Sequence, residues 1–463
     1  MKTFFTKSAL YLALTIPAFF FLGCDDSEEG GSYEFSVEPT VLTFSAKQET
    51  QTLSVRTYGD WSIVLPQDAA WLKVSAMSGR GPAEIEVTAE NYYRTDTSRT
   101  ARLTVTGGNS GDFPVEVVQQ KLQMNDLSAA GKANCYIVPT SGDFVINAAT
   151  QGNSESEQVG EWTSAELLWE DNRELITDLY GDPESKRIFF STAAAGNAVI
   201  AVKDASGKIL WSWHIWATDF DPNAKTLKYT NDNGSTWEFM DRNLGAANAE
   251  SGSFGAFGLL YQWGRKDPFT AATAFAPENP SETIRWNMLN NPQPAMASDA
   301  DSMGTVQLSI EHPTSFYVTR YAHGDWNGQP DPDLWGAVSG QKTVYDPCPA
   351  GWRVPAYDAQ GDSPYAFVTR QTTTGTDNIG RIYTDGNGND FLFPVAGSRV
   401  NGTGTLDCPG NYGSLWTATG KTTSNEDGTI EYGCLLFFTT GRLVSATYYD
   451  TRSQGVSVRC VKE

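Results

Sequence analysis

Ile209-Leu210-Trp211-Ser212-Trp213-His214-Ile215-Trp216 is the stretch that decides the fold. Successive side chains of a strand point to opposite faces, so Ile209, Trp211, Trp213 and Ile215 share one face and Leu210, Ser212, His214 and Trp216 the other. Both faces carry large apolar groups. Such a strand belongs in the middle of a sheet with both sides covered. Apolar strand patterns surround it at Cys135-Tyr136-Ile137-Val138, Phe144-Val145-Ile146, Glu166-Leu167-Leu168-Trp169, Arg187-Ile188-Phe189-Phe190 and Ala198-Val199-Ile200-Ala201-Val202. They predict a β-rich, sandwich-like domain over residues 132–222.

Upstream, residues 34–121 show short alternating runs: Phe35/Val37, Leu42/Phe44, Leu53/Val55, Trp61/Ile63/Leu65, Ile85/Val87, Leu103/Val105 and Val115/Val117. Turn signals part them, among them Tyr58-Gly59-Asp60 and Ser78-Gly79-Arg80-Gly81-Pro82. Seven or so short strands at this spacing predict an immunoglobulin-like sandwich. Residues from Gln119 to about Gly131 read as a linker. Phe35-Ser36-Val37, Gly59-Asp60-Trp61, Trp71-Leu72-Lys73-Val74-Ser75, Asn91, Arg99-Thr100-Ala101 and Val117-Val118-Gln119-Gln120 together resemble the BACON domain. The family is named for a proposed carbohydrate-binding role and several members act as spacers, so the resemblance implies surface display ahead of sugar binding.

From residue 226 to 463 the chain is rich in Gly, Trp and Asn. Its motifs include Gly258-Leu259-Leu260-Tyr261-Gln262-Trp263-Gly264-Arg265, Asp346-Pro347-Cys348-Pro349-Ala350-Gly351-Trp352-Arg353-Val354-Pro355, Phe393-Pro394-Val395-Ala396-Gly397-Ser398-Arg399 and Ser457-Val458-Arg459-Cys460-Val461. This ordered set resembles the FISUMP (Fibrobacter-type major paralogous) domain. The resemblance implies a loop-rich α+β fold of C-type-lectin-like character. The expected architecture is thus mostly β and multidomain. Bridging Cys348 to Cys460 would close a loop of over a hundred residues, worth roughly 4–5 kcal/mol in the chain-entropy model. Cys408 and Cys434 are candidates for a second bridge, with Cys135 left free, although sequence alone cannot fix the connectivity.

The start of the chain carries Lys2 and Lys7, an apolar run from Ala9 to Leu22, and then Gly23-Cys24. Basic start, apolar core and small residue make a secretory signal over residues 1–23. A Cys at that position resembles the lipobox of bacterial lipoproteins, which implies lipidation of Cys24. Two or more acyl chains anchor stably where one is marginal. The acidic residues 24–33 read as a tether and resemble a surface-export signal of Bacteroidetes lipoproteins. The expected location is the outer membrane, lipid-anchored and facing the medium, with the periplasmic face as the alternative.

The 55 acidic against 33 basic residues give a net charge of −22, and no basic run occurs. Such a surface repels polyanions, so nucleic acid is excluded as a partner. No Cys/His spacing suggests a metal, no Gly-x-Ser-x-Gly elbow occurs, and no pair of acids is singled out for hydrolysis. We therefore expect no catalytic residue, no cofactor and no metal. Gln329-Pro330-Asp331 resembles the sugar-binding loop of calcium-dependent lectins, but Trp326-Asn327 precedes it, in the wrong order. Asp385-Gly386-Asn387-Gly388-Asn389-Asp390 spaces oxygen ligands like a calcium loop but lacks the closing Glu, and reads better as a hairpin turn. Sugars stack on aromatic rings, which makes Trp286, Trp326 and Trp335, in the long insert between Phe269 and Asp346, the ligand-binding candidates. Local core filling is the competing reading and the stronger one for each. The expected function is non-catalytic binding of glycan, mucin or another polymer. The alternative is an adhesin or assembly accessory with a protein partner.

Overall fold

The computed structural model describes residues 35–93, 97–274, 280–293, 298–299, 304–318, 324–370, 380–426, 428–440 and 443–463. Cys24, its signal segment and the tether lie outside these residues, as does His323. The chain divides into two compact units, 1–122 and 123–463. Strands dominate both, and no described helix is long and apolar enough to cross a membrane.

The first unit is a two-sheet sandwich. Strands β1 (Ser36–Glu38), β2 (Val41–Phe44), β3 (Glu49–Arg56), β4 (Asp60–Val64), β5 (Leu72–Val74), β6 (Ser78–Arg80), β7 (Ala83–Ala89), β8 (Arg99–Thr106) and β9 (Asp112–Gln119) follow in chain order. One sheet runs β1-β3-β7-β5 and the other β2-β9-β8-β4-β6, with β2 parallel to β9. The period-two alternation sends Leu53, Val55, Ile85 and Val87 of one sheet, and Leu42, Phe44, Leu103, Val105, Val115 and Val117 of the other, into a single core. Gln119 closes the rim. Its Nε2 donates to the carbonyls of Ser45 (3.0 Å) and Glu90 (2.8 Å), and its Oε1 accepts from Arg99 Nε (2.9 Å). The Arg99 guanidinium lies 4.2 Å from the Trp71 ring centre and 4.4 Å from that of Tyr92.

The second unit begins with β10 (Asn125–Asp126), β11 (Cys135–Val138), β12 (Gly142–Asn147), β13 (Ser164–Glu170), β14 (Ile176–Asp182), β15 (Arg187–Thr192), β16 (Gly196–Lys203) and β17 (Ile209–Ala217). Sheets β10-β12-β15-β14 and β11-β17-β16-β13 enclose a core. Strand β17 lies inside its sheet with both faces covered. Trp211, Trp213 and Ile215 enter that core. Trp216, on the other face, enters a second core with Met240, Trp263, Trp326, Trp335 and Trp416. Residues 132–222 and 226–463 therefore share a core within one compact unit, where separate domains were expected. Ser212 on the same face donates to Asp267 (2.6 Å), and Asn134, before β11, donates to the carbonyls of Val344 (2.6 Å) and Asp346 (2.9 Å).

The C-terminal part contains two larger sheets. Thr226–Thr230, Thr236–Met240, Val461–Lys462 and Trp352–Arg353 form the first. The second is seven-stranded and centres on the long hairpin Tyr412–Asn425 and Gly428–Thr439, with Val444–Thr451 at its edge. The α-helices are limited to Val306–Glu311 and Phe367–Arg370 among the described residues. The Cys348–Cys460 disulfide ties the turn before Trp352 to the last strand, at 2.04 Å and a sequence separation of 112. Cys408 and Cys434 are both free thiols, which overturns the expected second bridge. Cys434 lies buried within the long hairpin, whereas Cys408 sits half-buried in a loop.

Candidate functional site

Motif residues of the second unit are largely consumed in holding loops. Gln262 Nε2 donates to the carbonyls of Tyr317 (2.7 Å) and Ser453 (2.9 Å). Buried Arg265 reaches Gln262 Oε1 (3.0 Å) and the Ser315 carbonyl (2.6 Å). Arg399 donates to Thr270 O (2.7 Å), Arg459 to Leu392 O (2.6 Å), and the Asp346 carboxylate accepts from Cys348 N (2.8 Å) and Val354 N (2.9 Å). Buried peptide groups must find partners, and in a loop-rich unit side chains supply them.

The insert tryptophans divide. Trp326 and Trp335 are 2% and 0% exposed, and their indole N–H groups donate to the carbonyls of Trp263 (2.7 Å) and Arg265 (3.3 Å). Both are core residues, which corrects their candidacy as ligand platforms. Trp286 is half-buried, bonded through its backbone to Glu170, and its ring is covered by the Arg173 guanidinium at 3.7 Å. Sequence position in a loop suggested exposure, but here the loops build the core. The two calcium-like stretches are turns. Asp331 Oδ1 accepts from Asp333 N (2.8 Å), and Asp385 Oδ1 from Asn387 N and Asn389 N (both 2.8 Å) between paired strands Gly380–Thr384 and Asp390–Pro394. Among the described residues no group of three or more His, Cys, Asp or Glu is placed to hold a metal ion.

A cleft of the second unit lies beside β11, with a volume of about 630 Å³. This falls within the ~300–1,000 Å³ of typical ligand sites. Its floor is apolar, from Ile137, Phe220 and Trp352, and its rim carries Asp126, Asp219, Asp221 and Asn223. The loop after β17 is fixed locally. Thr218 Oγ1 accepts from Phe220 N (3.2 Å), and Asp221 Oδ1 from Asn223 N (2.9 Å). The Phe220 ring rests 5.4 Å from Trp216 and under the Arg242 guanidinium at 4.0 Å. On the opposite wall Asp126 caps the short turn Leu127–Ala130 and pairs with Arg187. Cys135 also lines the cleft, but its thiol is fully buried and burial pushes its pKa well up, so it is no nucleophile. The lining includes no histidine. The arrangement offers apolar contact surface and acceptors for hydroxyl or amine donors. Sequence reading missed it, since its walls come from four separated segments.

The class defined by the first unit is a two-sheet β-sandwich. Residues 61–120 of it match the model of the BACON family, described as "Putative binding domain, N-terminal". No curated protein sequence matches the chain. Among solved structures, the chain is similar to a GH5 xyloglucanase of Bacteroides ovatus in complex with a XXXG heptasaccharide: 24% identity, 23% of this chain and 27% of that one, TM-score 0.18. The chain thus spans about a quarter of that enzyme's length. It is also similar to a protein from Bacteroides thetaiotaomicron, at 20% identity over 22% of this chain and 99% of that one, TM-score 0.16. A third is the ASH/PapD-like domain of human CEP192, at 11% identity over 23% and 99%, TM-score 0.16.

Proposed function

We propose that this protein is a surface-anchored, non-catalytic binding lipoprotein that recognises glycan, mucin or a related polymer. The observation that carries this reading is the 630 Å³ cleft, with its aromatic floor and carboxylate rim and no histidine or accessible thiol among its lining residues. Apolar rings accept the C–H face of a sugar while carboxylates accept from its hydroxyls. The match of residues 61–120 to a binding-domain family supports it. In this reading the first unit is a spacer, residues 226–463 are a FISUMP domain of lectin-like character, and Cys24 carries the lipid that holds the chain to the outer membrane, facing the medium.

Binding of the mature chain to an array of mucin and plant glycans tests recognition. Retained binding with loss in Phe220→Ala supports the cleft. No binding to any glycan removes the glycan reading. Labelled palmitate incorporated by the wild type and lost in Cys24→Ala tests the anchor, and protease access on intact cells tests the leaflet. One observation favours the second reading, a protein partner. The edge strand Val444–Thr451 carries exposed Tyr448 and Tyr449, and such an edge is a template for strand addition.

A further inference from the structure

A second cleft of the same unit has a different construction. Its volume is about 340 Å³, and Asp171 is the only charged residue among its described lining. Asp171 follows β13. Its N–H donates to Asn197 O (2.9 Å), its Oδ1 accepts from Asn197 N (2.7 Å) and its Oδ2 from Asn197 Nδ2 (2.8 Å). A carboxylate oxygen has two acceptor sites, so each oxygen retains one after these bonds. Burial raises the pKa of this carboxyl, and no cation pairs with it among the described residues.

The support behind Asp171 is built in. Asn197 Oδ1 lies 3.0 Å from His214 Nε2, and Asn197 Nδ2 also donates to Gly245 O at 3.0 Å. Full burial lowers the His214 pKa to about 3, so the ring is neutral. Its Nε2–H then donates to Asn197 Oδ1, which fixes the amide with its NH₂ toward Asp171. The walls are small residues placed where little else fits. A Cβ at Gly196 would lie 2.4 Å from Asp171 Oδ1, and one at Gly245, where φ is +80°, would lie 2.6 Å from Leu259 Cγ. At the rim stands Phe254, 51% exposed, on a short turn whose Ser253 Oγ accepts from Gly255 N (3.1 Å). Half of the Phe254 surface is open to solvent.

We propose that this cleft is a subsite for a single neutral pyranose ring, with Asp171 accepting from two adjacent hydroxyls and Phe254 stacked on the ring's apolar face. The proposal rests on the glycan reading above and names its substrate class. A pair of acceptors on one carboxylate matches a vicinal diol. An open aromatic face matches the C–H side of a sugar. The single negative charge of the described lining, which carries no basic residue, selects against uronic and sialic acids, because like charges in a half-buried site repel. The volume lies at the small end for ligand sites, which suits one ring of a longer chain whose remainder extends past Phe254.

The test titrates the whole mature chain with glucose, galactose, mannose, N-acetylglucosamine, galacturonate and sialic acid, read by saturation-transfer NMR. At least one neutral sugar is expected to bind in the millimolar range, and neither acid. Asp171→Asn, which turns one acceptor into a donor facing Asn197, should weaken that binding by about tenfold or more. Phe254→Ala should weaken it by roughly 2–10-fold, with Phe254→Tyr restoring it. Phe254 is exposed, so its variants fold regardless of what Asp171→Asn does to stability. Unchanged binding in Phe254→Ala, or equal binding of the acidic sugars, overturns the subsite. Glycan binding sensitive to Phe220→Ala but not to Asp171→Asn or Phe254→Ala overturns the subsite while leaving the glycan reading intact. No binding of any glycan overturns both.

Discussion

The two units solve the same problem, a stable β structure, with different interiors. Among its described residues the sandwich buries almost only apolar side chains, with Gln119 as the one fully buried polar group. The unit of residues 123–463 buries Arg265, Lys266, Asp267, Asp325, Arg399, Arg452 and Arg459. Strand ladders satisfy the backbone of the sandwich, so its core needs only period-two alternation. The larger unit runs long loops through its interior, and their carbonyls need donors. Arginine supplies up to five N–H groups from one side chain. Buried charges fix arrangement at a desolvation cost, so the larger unit should be the more sensitive to single changes.

The largest expected effect comes from the Cys348–Cys460 bridge. Its separation of 112 residues gives roughly 4–5 kcal/mol in the chain-entropy model. Replacing both with Ala should lower the denaturation midpoint of the second unit and leave that of the first unchanged, with each unit followed by its own amide resonances. An equal shift in both units would erase the contrast. Next is Arg452, which pairs with Asp325 (2.9 Å) and Glu431 (3.0 Å) and lies 4.3 Å from the Trp263 ring centre. Arg452→Met removes the guanidinium that joins Asp325 to Glu431 and should cost about 3–5 kcal/mol, measured by urea unfolding.

Acid acts on the larger unit in two opposed ways. His214 has a folded pKa lowered to about 3 by burial, below its unfolded value near 6.5. The unfolded state therefore binds more protons in that window, and stability falls as pH drops below about 6.5, by about 2 kcal/mol at pH 5. Asp171 is raised to about 6 by burial, above its unfolded value. It contributes stability below the unfolded value that is lost as pH rises through about 6. The two sit on either side of Asn197, and their slopes oppose between about pH 4 and 6. Asp171→Asn should expose the His214 slope, with stability falling on acidification, and His214→Gln should expose the reverse. Parallel slopes in the two variants would show that at least one of the groups does not titrate as its burial implies.

Much of this contrast could be read in the sequence where periodicity carried it. Leu103/Val105 and Val115/Val117 alternate and enter one core, and the doubled faces of Ile209–Trp216 marked an interior strand. Loops broke the reading. Trp326 and Trp335 stand in an irregular insert, which normally signals exposure and made them ligand candidates, and they follow the stronger reading and fill the core of a unit built from such inserts. Cys408 and Cys434 could not be judged, since pairing depends on distances that spacing does not encode. The large cleft draws on residues as far apart as Asp126 and Trp352, beyond any local motif. Phe254 had a faint signal, a lone aromatic within Ser251-Gly252-Ser253-Phe254-Gly255, where no strand or helix pattern would bury it.

The smallest effect is expected at Gln119, and it asks whether the sandwich is as indifferent to polar detail as its core suggests. The amide joins the strand end at β9 to the carbonyls of Ser45 and Glu90 and takes a bond from Arg99. Gln119→Leu removes two donors and one acceptor at once. The Glu90 carbonyl still receives Arg99 Nη2 at 3.1 Å, and Arg99 keeps its contacts with Trp71 and Tyr92. The Ala46 carbonyl keeps the Tyr92 N–H (2.7 Å), whereas the Ser45 carbonyl loses its side-chain donor and Arg99 Nε its Gln119 acceptor, so the cost should be about 1–3 kcal/mol. It should appear in the first unit alone. A loss as large as that of Arg452→Met would mean that the Trp71, Tyr92, Arg99 and Gln119 cluster holds the sandwich together as the buried arginines hold the loops. A loss near zero would show that the apolar core suffices.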